Sequence, residues 1–228
     1  IPPSVHPAGS RGAVRVGRVD GWGNALSAAD LEVPFTAEVD GPEGGDLKAK
    51  LCELGNGKVE VRLGATVAGD YTLRLLSAAT GQPVAGFPLP VTVTPGLVSA
   101  TASEATWDIG SAVAAGSELN VKLIPRDQFR NMLTELGAGE SDLQVEVTGP
   151  GAERRVLRAA RAPGRPGGLV FTGSVSVAGG ASVVPSVRGA PLPGWPRPLA
   201  VLPGPASPAA CRLSGPASAV AGAPTKLL

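Results

Sequence analysis

One histidine, His6, and two cysteines, Cys52 and Cys211, are the side chains of this 228-residue chain best suited to act as nucleophile, base or soft metal ligand. Nucleophilic catalysis needs such groups to converge, with a base beside the nucleophile and a third group to orient it. A lone histidine close to residue 1 and two cysteines far apart in sequence do not make a Ser/His/Asp or Cys/His set. The chain is therefore read as a non-enzyme, and no cofactor is implied. Asp20, Asp40 and Glu43 fall at turns, but calcium takes about 6–8 oxygens from closely spaced Asp, Asn and Glu. The sequence holds no such cluster, so no metal site is expected. Asp20 and Asn24 are read instead as side chains that cap the backbone of a tight turn.

Charge is balanced, with 20 basic and 19 acidic side chains and a formal net charge of +1, so long-range attraction to nucleic acid or anionic lipid is weak. One segment stands apart. In GAERRVLRAARAPGRPGG, residues 151–168, the cations Arg154, Arg155, Arg158, Arg161 and Arg165 are accompanied by Glu153 alone. This is a candidate basic docking patch for an acidic protein surface, set against the plainer reading of a solvated strand and loop. No aromatic residue interleaves with it, so stacking on single-stranded nucleic acid is not expected. Of the three tryptophans, Trp195 is read as a packing residue, Trp22 as a turn residue, and Trp107 as lying in a connector where it could plug a junction.

The elements that would position these groups are short strands. Gly 32 and Pro 23 coexist with a 43% hydrophobic fraction, and the apolar residues recur in alternating bursts bounded by turn residues. Val59, Val61 and Leu63 alternate with Glu60 and Arg62, a period of two that sends one face inward. Strands are predicted near 12–19, 33–40, 46–54, 58–63, 70–77 and 88–94, and again near 119–125, 143–149, 154–160, 169–177, 181–188 and 198–202. No apolar run near 18 residues is present, so no membrane insertion is expected.

The second set repeats the first. AGSRGAVRVGRVDGWGN at 8–24 matches AGSELNVKLIPRDQFRN at 115–131, FTAEVDGP at 35–42 matches LQVEVTGP at 143–150, and GFPLPVTVTPG at 86–96 matches GWPRPLAVLPG at 194–204. Three landmarks in one order at offsets of 107 to 108 define a repeat. The expected organisation is a unit over 1–96 with a truncated opening strand, a second over 97–204, and the opening of a third over 205–228. About six or seven strands per hundred residues without helical periodicity predict an all-β fold of tandem antiparallel β-sandwiches.

The residues Asp20 with Gly23 and Asn24, Gly41 with Pro42, NGKVEVRL, GDYTLRLL and GFPLPVTV make the unit similar to the filamin-type immunoglobulin-like repeat. The second unit keeps Asp127 and Asn131, carries Arg130 in place of the glycine, and has Gly180, Ala181 and Ser182 where Gly69, Asp70 and Tyr71 stood. The resemblance implies binding by β-augmentation, a partner segment adding beside the third strand and packing on the fourth. The residues concerned are Val33, Phe35, Ala37 and Val39 with Leu47, Ala49 and Leu51 in the first unit, and Leu143, Val145 and Val147 with Val156 in the second.

The expected partners are other proteins, cytoskeletal or axonemal, and neighbouring repeats of the same chain, with no nucleic acid. The two cysteines fall in different repeats, and none of Asn24, Asn56, Asn120 and Asn131 heads a glycosylation sequon. Both facts favour a cytoplasmic scaffold of cytoskeleton or cilium. The alternative is an extracellular segment of a gamete-type adhesion protein, because the resemblance also extends to surface proteins of that kind.

Overall fold

Strands with one apolar face must bury that face against another layer, and the alternation seen in sequence is resolved this way twice. The structure, a computed structural model, describes residues 4–20, 22–26, 35–55, 57–135, 142–162 and 167–212. The first sandwich contains β1 (Ser4–Pro7), β2 (Arg11–Gly17), β3 (Phe35–Asp40), β4 (Lys48–Gly55), β5 (Lys58–Gly64), β6 (Gly69–Ser77) and β7 (Leu89–Thr94). Its sheets have the orders β1-β7-β6-β3 and β2-β5-β4. Val61, Leu73 and Leu75 are wholly buried between them, and Tyr71, Leu89 and Val91 nearly so.

The second sandwich contains β8 (Glu104–Trp107), β9 (Ala112–Ala114), β10 (Glu118–Ile124), β11 (Leu143–Thr148), β12 (Arg154–Val156), β13 (Arg158–Arg161), β14 (Leu169–Ser174), β15 (Gly179–Val187), β16 (Ala190–Pro191) and β17 (Arg197–Leu202). One sheet has the order β13-β14-β10-β8; the other runs β12-β11-β15-β17-β9, with β16 paired to β15. Leu119, Val121, Leu123, Phe171 and Val183 fill its centre. The two sandwiches share a detail: a short opening strand lies parallel to the last long one, β1 on β7 and β9 on β17.

Three expectations change. The strand predicted over 154–160 is two strands in different sheets, because Leu157 turns inward, 5% exposed, and carries the chain across the gap. Trp107 lies in β8 rather than in a connector, edge-on to Trp195 with ring centroids 5.5 Å apart, so it packs inside the second sandwich and plugs no junction. Gly69 and Gly179 both have positive φ, and each lies against a proline, Pro42 and Pro150. This pairs Tyr71 with Ala181, one residue away from the alignment read off the sequence.

Candidate docking surfaces

Apolar alternation places Phe35, Ala37 and Val39 on one face of β3, and Ala49 and Leu51 on the facing side of β4. All five are half-buried at the margin of the core, with Leu47 buried beside them. β3 bonds to β6 along one side, and among the described residues no strand pairs with its other side. β4 is likewise last in its sheet, bonded to β5. Among the described residues the sandwich is therefore open between two sheet edges, with no strand on the outer side of β3 and a strip of apolar side chains within. Arg18 stands at one end with its guanidinium 5.3 Å from the Phe35 ring centre, and Arg74 pairs with Asp40 at the other at 2.6 Å. Val33 lies outside the described residues.

The same edge of the second sandwich is filled. β12 pairs with β11 in the register Glu146 to Val156, Val147 to Arg155 and Thr148 to Arg154. The Leu157 N–H donates to the Val145 carbonyl at 2.9 Å. Leu143, Val145 and Val147 are consequently 3%, 0% and 1% exposed, whereas Val156 is 60% exposed and faces away from the core. Strand addition by a partner at these four residues is thus pre-empted: the segment after Pro150 folds back and adds β12 to β11 from within the chain.

That segment is also the start of the basic stretch. Arg154 pairs with Glu146 at 3.3 Å and Arg155 with Glu153 at 2.8 Å, so Glu153 is not the lone acid that the sequence suggests. Arg158 and Arg161 are exposed on β13, in the other sheet, and Arg165 lies outside the described residues. Exposed pairs of this kind contribute about 0–1 kcal/mol each, so their effect is to divide and partly neutralise the patch.

A third surface, which sequence reasoning treated as a plain turn, joins the two sandwiches. Asp127, with no exposed surface, accepts N–H donors from Phe129 and Asn131 at 2.9 Å on Oδ1. On Oδ2 it accepts the Asn131 side-chain amide at 2.7 Å and the Gly96 N–H at 2.8 Å. Asn131 reaches back to the first sandwich with both ends of its amide, donating to the Thr66 carbonyl at 2.7 Å and accepting from the Ala68 N–H at 2.9 Å. The Phe129 ring lies on Gly9, where a side chain would bring its Cβ to 2.5 Å from the ring. Backbone, amide and ring contacts together form one joint.

Asp46 shapes the loop that Asn131 grips. Its carboxylate accepts the N–H groups of Thr66 and Val67 at 2.9 Å and the Thr66 hydroxyl, while the Tyr71 hydroxyl donates to the Val67 carbonyl at 2.8 Å. Partial burial would raise the Asp46 pKa, but the hydrogen bonds from Thr66 and Val67 outweigh it and hold the group below its ordinary value of 3.8. A depressed carboxylate pKa contributes stability that is present above pH 3.8 and lost as pH falls through the lower folded value. Between pH 6 and pH 3 the thermal midpoint of the first sandwich is expected to fall further in the native chain than in Asp46→Asn, as differential scanning calorimetry would record.

Among the described residues no group of three or more His, Cys, Asp and Glu could hold a metal ion, both cysteines are free, and no helix is long and apolar enough to cross a membrane. No protein-family model matches the chain, and none of the curated proteins matches it in sequence. Solved structures do. FdeC, an Escherichia coli adhesin, superposes with a TM-score of 0.60 at 23% identity over 87% of this chain and 62% of its own. Invasin, a bacterial integrin-binding protein, gives 0.60 at 12% identity over 88% of this chain and 38% of its own. The Lin-41 filamin domain gives 0.38 at 19% identity over 47% of this chain and 98% of its own. The chain thus spans less than two thirds of either adhesin chain. These likenesses concern fold, and with the two sheet pairs they establish the chain as a tandem of immunoglobulin-like antiparallel β-sandwiches, the class to which filamin-type repeats belong.

Proposed function

We propose that the chain is a non-enzymatic spacer and docking segment of a larger structural protein, and that the β3 edge of its first sandwich takes an extended partner segment as an added strand. The observation that carries this reading is internal. β3 and β11 occupy equivalent places, β11 is completed by β12 with Leu157 seated in the gap between sheets, and β3 presents the same gap unfilled among the described residues. Backbone pairing would supply affinity, and side chains alternating into the strip formed by Phe35, Ala37, Val39, Ala49 and Leu51 would supply selectivity. The organisation into units over 1–96, 97–204 and 205–228 belongs to this proposal; residues 213–228 of the third lie outside the described residues.

The larger protein is read as a cytoskeletal or axonemal scaffold, which free cysteines and an arginine-bearing outer strand suit. A second reading, a segment of a cell-surface adhesion protein, is favoured by the likeness of both sandwiches together to adhesin domains. One experiment serves both. The 228-residue chain is used to capture proteins from a detergent lysate and, separately, to stain intact cells. Cytoskeletal or axonemal proteins are expected in the capture, and staining of intact cells instead would overturn the scaffold reading. Ala37→Arg, which projects a long cation into the slot, is expected to lower recovery of the partner at least about fivefold, with the thermal midpoint as a check that the sandwich still folds. Unchanged recovery in a folded variant would place the partner elsewhere.

A further inference from the structure

The joint between the sandwiches has two halves, and each half occurs a second time, uncovered among the described residues, in the other sandwich. The inserting half is the turn Asp127–Asn131 with Phe129 at its tip. Its counterpart in the first sandwich is the turn that carries Asp20, Trp22, Gly23 and Asn24, built by the same internal bonds. Asp20 Oδ1 accepts the N–H of Trp22 at 2.9 Å and of Asn24 at 2.8 Å, and Oδ2 accepts the Asn24 side-chain amide at 2.8 Å. Gly23 repeats the left-handed backbone of Arg130, with φ of 90° and 70°. Trp22 takes the place of Phe129 and is 89% exposed, against 36% for the phenylalanine in its joint.

The receiving half is formed by Gly9, the Thr66 carbonyl, the Ala68 N–H and the Gly96 N–H. Its counterpart in the second sandwich is Gly116, Ser176, Ala178 and Gly204. The frameworks coincide: Ala8 N–H donates to Thr94 and Gly9 N–H to Ala65, both at 2.7 Å, as Ala115 N–H donates to Leu202 and Gly116 N–H to Val175, both at 2.8 Å. Gly9 and Gly116 have φ of 78° and 85°. Only the cover differs. Thr66, Val67 and Ala68 are half-buried under the Asn131 turn, whereas Ser176, Val177 and Ala178 are exposed and, among the described residues, nothing lies within 4 Å of where a Gly116 side chain would start.

We infer that the Trp22 turn and the Gly116, Ser176, Ala178 and Gly204 surface are complementary halves of a second joint of the same kind, whose occupant is another such repeat, supplied in solution by a second copy of this chain. Recognition is mostly through backbone. An asparagine amide bridges one carbonyl and one N–H two residues on, a carboxylate accepts one further N–H, and an aromatic ring covers a glycine that has no Cβ. The partner must therefore present a left-handed glycine beside a tight loop, which excludes a generic hydrophobic surface. The two surfaces are different patches, so the contact is heterologous and propagates as an open line of sandwiches rather than a closed dimer.

The intrachain joint acts at the millimolar effective concentration of a short linker, so untethered copies are expected to associate weakly, and sedimentation of the full chain from ~10 µM to ~1 mM is the measurement. Elongated oligomers are expected to grow with concentration. Asn24→Ala damages the inserting half and Ala178→Pro the receiving half, and each alone is expected to weaken association at least about fivefold. An equal mixture of the two variants keeps one intact half on each chain and should therefore recover association that stops at pairs. Circular dichroism melts establish that both variants fold. A native chain that stays monomeric throughout, association indifferent to either substitution, or a mixture that behaves like its separate components would each overturn the inference.

Discussion

Asp127→Ala is expected to destabilise the second sandwich by about 3 kcal/mol and to separate its unfolding from that of the first. Four donors converge on this fully buried carboxylate, three from its own turn and one from Gly96 in the segment that leads out of the first sandwich. Alanine leaves all four without their acceptor. A buried donor without an acceptor costs about 1–3 kcal/mol, but the turn can shift to admit water, so the loss stays well below the sum. Asp20→Ala removes the same three internal bonds from an exposed turn, where water replaces them, and little change is expected. Urea unfolding followed by tryptophan emission reports the second sandwich, where Trp107 and Trp195 pack together, while far-ultraviolet circular dichroism reports both, because the exposed Trp22 leaves the first without an emission signal. If Asp127→Ala costs no more than Asp20→Ala, the joint contributes no stability and the coupling between sandwiches lies elsewhere.

The contrast between these two aspartates also marks where sequence reading stops. Alternation in VEVRL or LRLL is a property of one strand and its two faces, so the long strands, their buried faces and the repeat were legible in the chain, whereas the short strands β1, β8, β9 and β16 and the division of 154–160 between sheets were not. Asp20 with Asn24, and Asp127 with Asn131, were legible as turns for the same reason: the bonds that form an Asx-type turn are local. What the turn touches is not local. A hint was present in the aromatic residue kept at the tip of both turns and the glycine kept in both Ala-Gly-Ser openings, since a turn has no internal need for a large ring. The β3 and β11 edges were illegible for a related reason. FTAEVD and LQVEVT read alike, and the difference lies in whether the following segment folds back, which depends on Leu157 finding space above Gly173.

Leu157→Ala is accordingly expected to do more than remove packing. The side chain is 5% exposed and lies against Gly173, where a Cβ would fall 2.5 Å from the leucine Cδ2. Truncating a buried leucine costs about 2–4 kcal/mol through lost burial and the cavity left behind. Leu157 is also the point at which the chain passes from β12 to β13, so β12 loses its anchor to the core and retains three register pairs with β11 and the exposed Arg154–Glu146 contact. Such a short, solvent-facing strand is marginal without apolar support. Hydrogen exchange should therefore quicken across 146–148 and 154–156 while β14 and β15 stay protected, and Leu143, Val145 and Val147 should approach the partial exposure of Phe35, Ala37 and Val39. A variant that loses stability but keeps β12 protected would show that Leu157 fills space without closing the edge. If the edge opens, the chain acquires a second slot of the kind proposed at β3. The stoichiometry of the captured partner should then rise from one segment per chain to two, which ties the strand-addition reading to a count rather than to an affinity alone.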